Sequence, residues 1–166
     1  MAADFVEFRE EREFRQAALS VFEEVCREVG HLLPGAVVEH VGSTAIPGAV
    51  TKGDLDVCVL VDASAFSHAD HLLGGRYTRN VGSHHSGTYS PFVDESKKIA
   101  VGIQLVVQAG PEDFFVLWRD TLRRSPDLLA QYNALKLRWQ GRSHEGYRTD
   151  KSSFIEQVLE SHSRST

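Results

Sequence analysis

The sequence predicts an α+β domain: an N-terminal helix, a mixed β-sheet and a C-terminal group of helices. Three observations predict it. Residues 8–29 place apolar side chains at helical spacing. Residues 36–108 hold short β-branched runs separated by glycine, serine and proline. Residues 111–160 return to helical spacing, with strong start signals.

In the first helix, Phe14, Ala18, Val21, Phe22 and Val25 follow the i, i+3/i+4, i+7 pattern, and Gly30 with the following "LLPG" is expected to end it. "AVVEHV" (36–41) reads as a strand, and "LDVCVLV" (55–61) as a second strand buried on both faces. Residues 64–74 suit a short helix ended by Gly74. Residues 76–81 and 87–93 read as strands around the turn-rich "GSHHSG", a loop expected near the active edge, and "KIAVGIQLVVQ" (98–108) as a further strand. Phe114, Phe115, Trp118 and Leu122 give 111–124 a helical face. The next helix opens with Ser125 as N-cap, Pro126 at the first helical position and Asp127 in the first turn, and carries Leu128, Tyr132, Leu135 and Trp139 on one side. A last helix, 147–160, turns Phe154, Ile155 and Val158 inward, and residues 160–166 are expected to fray.

One domain over residues 1–166 is the simplest reading of this length. The net charge of −5 offers no general attraction for nucleic acid or a membrane surface, so both are disfavoured as partners. Cys26 and Cys58 fall in a helix and a buried strand and read as core thiols of a reducing compartment. The opening "MAADFVEFREEREFRQ" lacks the apolar stretch of a secretory signal, and no run reaches the roughly 20 apolar residues of a membrane span. A cytoplasmic location is expected. The sequence does not indicate an oligomeric state.

The chemistry concentrates in "HVGSTAIPGAVTKGDLDVCVLV" (40–61). Alternation along a strand puts Asp54 and Asp56 on one side, about 6–7 Å apart, with Leu55 opposite. Two carboxylates that close repel unless a positive charge lies between them, and a hard cation with oxygen ligands is the natural candidate. The competing reading is a solvated strand entry. Upstream, Gly42 allows close backbone approach, and backbone N–H groups with the Ser43 and Thr44 hydroxyls can cradle phosphate oxygens. Alternatively, Ser43 or Thr44 caps a helix, which is compatible because helix N-termini also bind anions.

Gly-Ser, ten intervening residues and Asp-Leu-Asp on a strand resemble the hG[GS]…DhDh signature of the nucleotidyltransferase superfamily. More closely, "EHVGSTAIPG" and "DLDVCVLV" are similar to the GrpB family, whose typical text is "EHIGSTSVPGLAAKPIIDI". "FFVLWRDTLRRSPDLLAQYNALKLRW" and "GYRTDKSSFIEQVL" continue the likeness, in order, over nearly the whole chain. The resemblance implies a nucleotidyltransferase-like mixed sheet with the turn and carboxylates at one edge. It implies Asp54 and Asp56 as catalytic ligands of Mg²⁺, or Mn²⁺, with Gly42 and Ser43 at the triphosphate of an NTP. A hydroxyl of a small molecule or protein would attack the α-phosphate and pyrophosphate would leave.

The pattern departs in one place. The superfamily takes a third carboxylate from a later strand, whereas here Gln104 and Val106 stand where the family text has histidines. A glutamine offers a carbonyl oxygen but accepts no proton at neutral pH. Asp94, Glu95 and Glu39 are the nearest acids. Tyr132/Lys136 and Tyr147/Lys151 each place a lysine one helical turn beyond a tyrosine. Lys136 reads best as snorkelling beside a core tyrosine, the alternative being a supporting site residue that offers its ammonium to phosphate while Tyr132 stacks on a base. Tyr147 and Lys151 could meet a base and a phosphate. Lys52 could neutralise phosphate or pair with Asp54, and His40 could orient the turn. His68, His71, His84 and His85 lack the spacing of a zinc site. The alternative to an enzyme is a nucleotide-binding accessory module without turnover. Fusion of family members to dephospho-CoA kinase links that alternative to coenzyme A metabolism.

Overall fold

The computed structural model describes residues 4–165. Along the chain run β1 (Arg9–Glu10), α1 (Arg15–Leu32), β2 (Val37–Val41), β3 (Val50–Thr51), β4 (Leu55–Val61), α2 (Phe66–Arg76), β5 (Thr78–Arg79), β6 (Tyr89–Asp94) and β7 (Val101–Val107). Then follow α3 (Phe115–Arg124), α4 (Pro126–Arg138) and α5 (His144–Arg164). The main sheet has the order β2-β4-β7-β6-β5; β4 and β7 are parallel and the other pairs antiparallel. β1 and β3 form a separate two-stranded ribbon. The α+β class, with an N-terminal helix, a mixed sheet and C-terminal helices, is the one the sequence predicts.

One face of the sheet is sealed. Leu55, Val57, Val59 and Val61 of β4 and Val101, Ile103, Leu105 and Val107 of β7 pack against Val21, Val25 and Val29 of α1 and Ala69 and Leu73 of α2. Burial of that apolar surface, at about 25 cal/mol per Å², dominates the favourable side of folding. The opposite face is only partly covered. Val41, Cys58, Leu60 and Val106 meet Phe115 and Val116 of α3 there, and the strand ends beyond them open into a cleft. A second cluster, Ile46, Ala49, Trp118, Leu122 and Tyr132, joins α3, α4 and α5 to the loop after β2.

Several boundaries differ from expectation. α1 passes through Gly30 to Leu32, because fully buried Val29 and nearly buried Leu33 offset the roughly 1 kcal/mol that a helical glycine costs; Pro34, which has no N–H, prevents continuation. α2 likewise runs past Gly74 to Arg76, held by Leu73 in the core and by the Tyr77 N–H donating to Leu73 O at 2.8 Å. Of residues 76–81 only Thr78–Arg79 pair as a strand. α5 starts at His144, capped by the Ser143 side chain, and runs to Arg164. Ser161 and Ser165 fold their hydroxyls back onto the carbonyls of Val158 and Ser161. Thr166 lies outside the described residues. Ser125 caps α4 as expected, accepting from Leu128 N at 3.3 Å. Among the described residues no helix is long and apolar enough to cross a membrane.

Candidate active site

The central strand β4 carries Asp56 between two glycines. Its register partners are Val41 on β2 and Gly102 on β7. Gly42, one residue past Val41, has φ +72°, and a Cβ there would overlap Asp56 Oδ2. A Cβ on Gly102 would stand 3.1 Å from Oδ1. The carboxylate therefore needs position 42 bare, and a side chain at position 102 would crowd it. Asp54, just before β4, lines the same cleft, as strand alternation predicts.

Gly42 leads into a single 3₁₀ turn, Ser43–Ala45, so the expectation that Ser43 or Thr44 caps a longer helix is not met. The Lys136 ammonium donates to Ser43 Oγ and, at 2.8 Å, to Val50 O, with Nζ 4.3 Å from the Tyr132 ring centroid. Lys136 is 1% exposed, which corrects the snorkelling reading: α4 turns this lysine into the cleft wall. Burial, reinforced by Lys151, pulls its pKa well below the usual lysine range, while Asp54 and Asp56 oppose that pull.

Two helices fix the turn from outside. Arg119 of α3 donates to His40 O at 2.9 Å and pairs with Glu39 at 2.6 Å, while Arg123 donates twice to Ala45 O, at 2.9 and 2.6 Å. Asn133 of α4 donates to Gly48 O and accepts from Val50 N. Inside, His40 Nε2 and Thr44 Oγ1 lie 2.9 Å apart, and Thr44 donates to Asp54 O at 3.4 Å. Burial, with Arg123 and Arg119 nearby, lowers the His40 pKa to about 4, so the ring is neutral. His40 thus orients the turn as anticipated. Thr44 is buried and engaged within the turn, and does not line the cleft where a phosphate would contact it.

The cleft has two parts. In the first, of about 260 Å³, Lys52, Lys136, Arg148 and Lys151 surround Ser43, Asp54 and Asp56. Lys52 lies 3.4 Å from His144 Nε2 rather than pairing with Asp54. Tyr147 is buried edge-on to Phe8, with the Lys151 ammonium 5.8 Å from its ring centroid. The second part, about 240 Å³, is lined by Gln104, Tyr89 and aromatic residues of α3. Tyr89 donates its hydroxyl to Gln104 Oε1.

Among the described residues, no lysine or arginine forms an ion pair with Asp54 or Asp56. The lysines act on the pair only from a distance. Burial and the adjacent Asp54 push the Asp56 carboxyl well above the usual range, and Lys151, Lys52 and Lys136 only partly reverse this. Among the described residues no third acid joins them. Glu39 is tied to Arg119, and Asp94 accepts from Ser96 and faces Lys97. No group of three or more His, Cys, Asp or Glu converges on a metal position among the described residues. The donor set is therefore two carboxylates in an open cleft. That suits Mg²⁺, which keeps waters and takes substrate phosphates as further ligands, better than it suits a metal needing a closed protein cage.

The model of the GrpB protein family matches residues 7–161. This chain belongs to the GrpB family. A UPF0157 protein of Vibrio cholerae is 35% identical over 162 residues, 96% of this chain and 85% of that one. The crystal structure of conserved protein GrpB from Enterococcus faecalis superposes with TM-score 0.62 at 16% identity, over 88% of this chain and 97% of that one. A Cid1 poly(U) polymerase structure with Mg 3′-dATP bound superposes with TM-score 0.52 at 13% identity, over 77% of this chain but 41% of that one. This GrpB-family chain therefore has a nucleotidyltransferase-like fold.

Sequence reasoning missed Gly102, Asn133 and the arginines of α3. A glycine inside a strand signals close backbone approach and could have pointed to Gly102. Nothing local marks Arg119, Arg123 or Asn133 as braces of a turn about 80 residues away in sequence.

Proposed function

We propose that this chain is a Mg²⁺-dependent nucleotidyltransferase that moves a nucleotidyl group from an NTP to a hydroxyl of a small molecule or protein. One observation carries the reading: two carboxylates without a basic partner share a cleft with a braced Gly-Ser turn and a cluster of lysines. Ser43 accepts from Lys136 and keeps its own O–H to donate to a phosphate oxygen. Lys52 and Lys151 supply positive charge for the β- and γ-phosphates, Lys136 holds Ser43 in place, and the α-phosphate falls beside Asp54 and Asp56. These two residues would hold Mg²⁺ or Mn²⁺, which when bound polarises the phosphoryl oxygen and neutralises charge on the leaving pyrophosphate. Tyr147 and the half-buried Lys151 close the far wall.

Thermal unfolding with each of the four NTPs and Mg²⁺ tests the binding half of the reading. Stabilisation is expected in wild type, with loss in the Asp54→Asn/Asp56→Asn double variant. A wild-type protein indifferent to every NTP at millimolar concentration would defeat it.

Gln104 favours a second reading, because it stands on the strand that in this superfamily brings the third acid. A nucleotide-binding accessory module would bind an NTP and release no pyrophosphate. Turnover in a pyrophosphate-release assay over a panel of acceptor alcohols would eliminate that reading.

A further inference from the structure

Asp56 is a partition. It lines both parts of the cleft, together with Ser43, Asn80, Ser83 and Lys151. The parts differ in chemistry. On the lysine side Lys52, Lys136, Arg148 and Lys151 converge. On the other side, among the described residues, Asp56 and Lys151 alone are charged, and the wall is Tyr89, Phe114, Phe115, Trp118 and Ile155 over Gln104. The rings of Tyr89, Phe115 and Phe114 are nearly parallel, with interplanar angles of 16° and 20° between neighbours. Stacked on one another, these rings offer a guest their edges and an end face, and both favour an aromatic ring in edge-to-face or offset contact.

Phosphoryl transfer fixes how these halves can be used. The attacking and leaving oxygens lie roughly in line across the phosphorus. A pyrophosphate leaving into the lysine side therefore requires a nucleophile arriving from the opposite side of Asp56. We propose that the aromatic chamber is the acceptor site, and that the acceptor is a small, uncharged molecule bearing a flat ring and a hydroxyl. This assignment rests on the nucleotidyltransferase reading above. The acceptor oxygen forms a bond to the α-phosphorus. The bond from that phosphorus to the bridging oxygen breaks, its electron pair leaves with pyrophosphate, and the hydroxyl proton passes to water.

The dimensions and charge both narrow the guest. The chamber, about 240 Å³, has room for a ring-sized fragment. Tracking a nucleic-acid strand needs a positively charged groove, and a single lysine does not supply one. Gln104 accepts from Tyr89, which leaves its amide N–H groups to donate to the acceptor oxygen.

Saturation-transfer NMR on the full chain tests the assignment, with benzyl alcohol as probe. Benzyl alcohol should receive saturation through its ring protons, keep it at saturating Mg-ATP, and exceed cyclohexylmethanol. Ile155→Phe, which fills the chamber from a half-buried position, should weaken probe binding about tenfold. The same variant should retain the Mg-ATP stabilisation of wild type. Displacement of benzyl alcohol by adenosine or ATP would make the chamber a nucleobase site and overturn the proposal. So would stronger saturation transfer to a short oligouridylate that Ile155→Phe removes, or equal transfer to cyclohexylmethanol. No transfer to benzyl alcohol beside intact Mg-ATP stabilisation would sink the acceptor assignment alone. Absent Mg-ATP stabilisation would remove the reading beneath it.

Discussion

The two faces of β4 are built from alternate residues of one seven-residue strand, and they do opposite work. Leu55, Val57, Val59 and Val61 enter the sealed side, where α1 and α2 cover them. Asp56 and Cys58 look the other way, Asp56 into the cleft and Cys58 into the small cluster under α3. The sealed face satisfies itself with apolar contacts. The cleft face holds a carboxylate whose charge the protein leaves largely uncompensated. A strand fixed by packing on one side can carry a strained electrostatic arrangement on the other, because the register that buries the valines also aims the aspartate.

The contrast can be broken from the sealed side with the largest effect. Val57→Asp places an unpaired charge at a fully buried position, and a cost of several kcal/mol is expected, enough to abolish cooperative unfolding by circular dichroism. A soluble variant with a normal transition would mean that this face is not the foundation of the fold.

Gly42→Ala attacks the other face through the backbone. It combines φ +72° with a Cβ that overlaps Asp56, so a loss of about 1–3 kcal/mol is expected. Calorimetry should show that loss, together with disappearance of the NTP-dependent shift. Retention of the shift would mean that the turn tolerates a side chain and does not cradle phosphate.

His40 sharpens the comparison through pH. In the folded protein its ring resists protonation down to about 4, whereas in the unfolded chain it takes a proton near 6.5. Between those values the unfolded state binds more protons. The stability His40 contributes is therefore complete above about 6.5 and declines as pH falls toward 4, by about 1–2 kcal/mol at pH 5. His40→Gln, which can still bond Thr44, should flatten this part of the pH–stability curve. An unchanged curve would mean that the ring is solvated and plays no part in holding the turn.

The smallest effect has the most telling sign. Asp56 has a raised carboxyl pKa, so at pH 8 its ionised form costs the folded state stability. In EDTA at pH 8, Asp56→Asn should raise Tm by about 2–4 °C, corresponding to about 1 kcal/mol, and should lose the NTP-dependent shift. A fall in Tm would show that the native carboxylate is already compensated.

Legibility followed the range of the interactions involved. The α4 start was readable because Ser125, Pro126 and Asp127 act within one turn of themselves. The Gly-Ser turn and the aspartates were readable because the motif confines their chemistry to 15 residues, Gly42 through Asp56. Lys136 was not, since its spacing from Tyr132 describes a helix face and says nothing of what that face meets; its partners, Ser43 and Val50, lie 93 and 86 residues away. The β1–β3 ribbon escaped because two-residue strands have no period to detect. The ends of α1 and α2 were misplaced because a glycine signals a local stop and cannot report the buried valine or leucine beside it.

Helix α3 has a further consequence. Arg119 and Arg123 hold the backbone on either side of the Gly-Ser turn, and Phe115 and Trp118, on the same ten-residue helix, wall the aromatic chamber. A guest that nudges this shared beam from one side changes the welcome on the other. If both ligands bind as proposed and each shifts α3, linkage requires that they alter each other's affinity by the same factor.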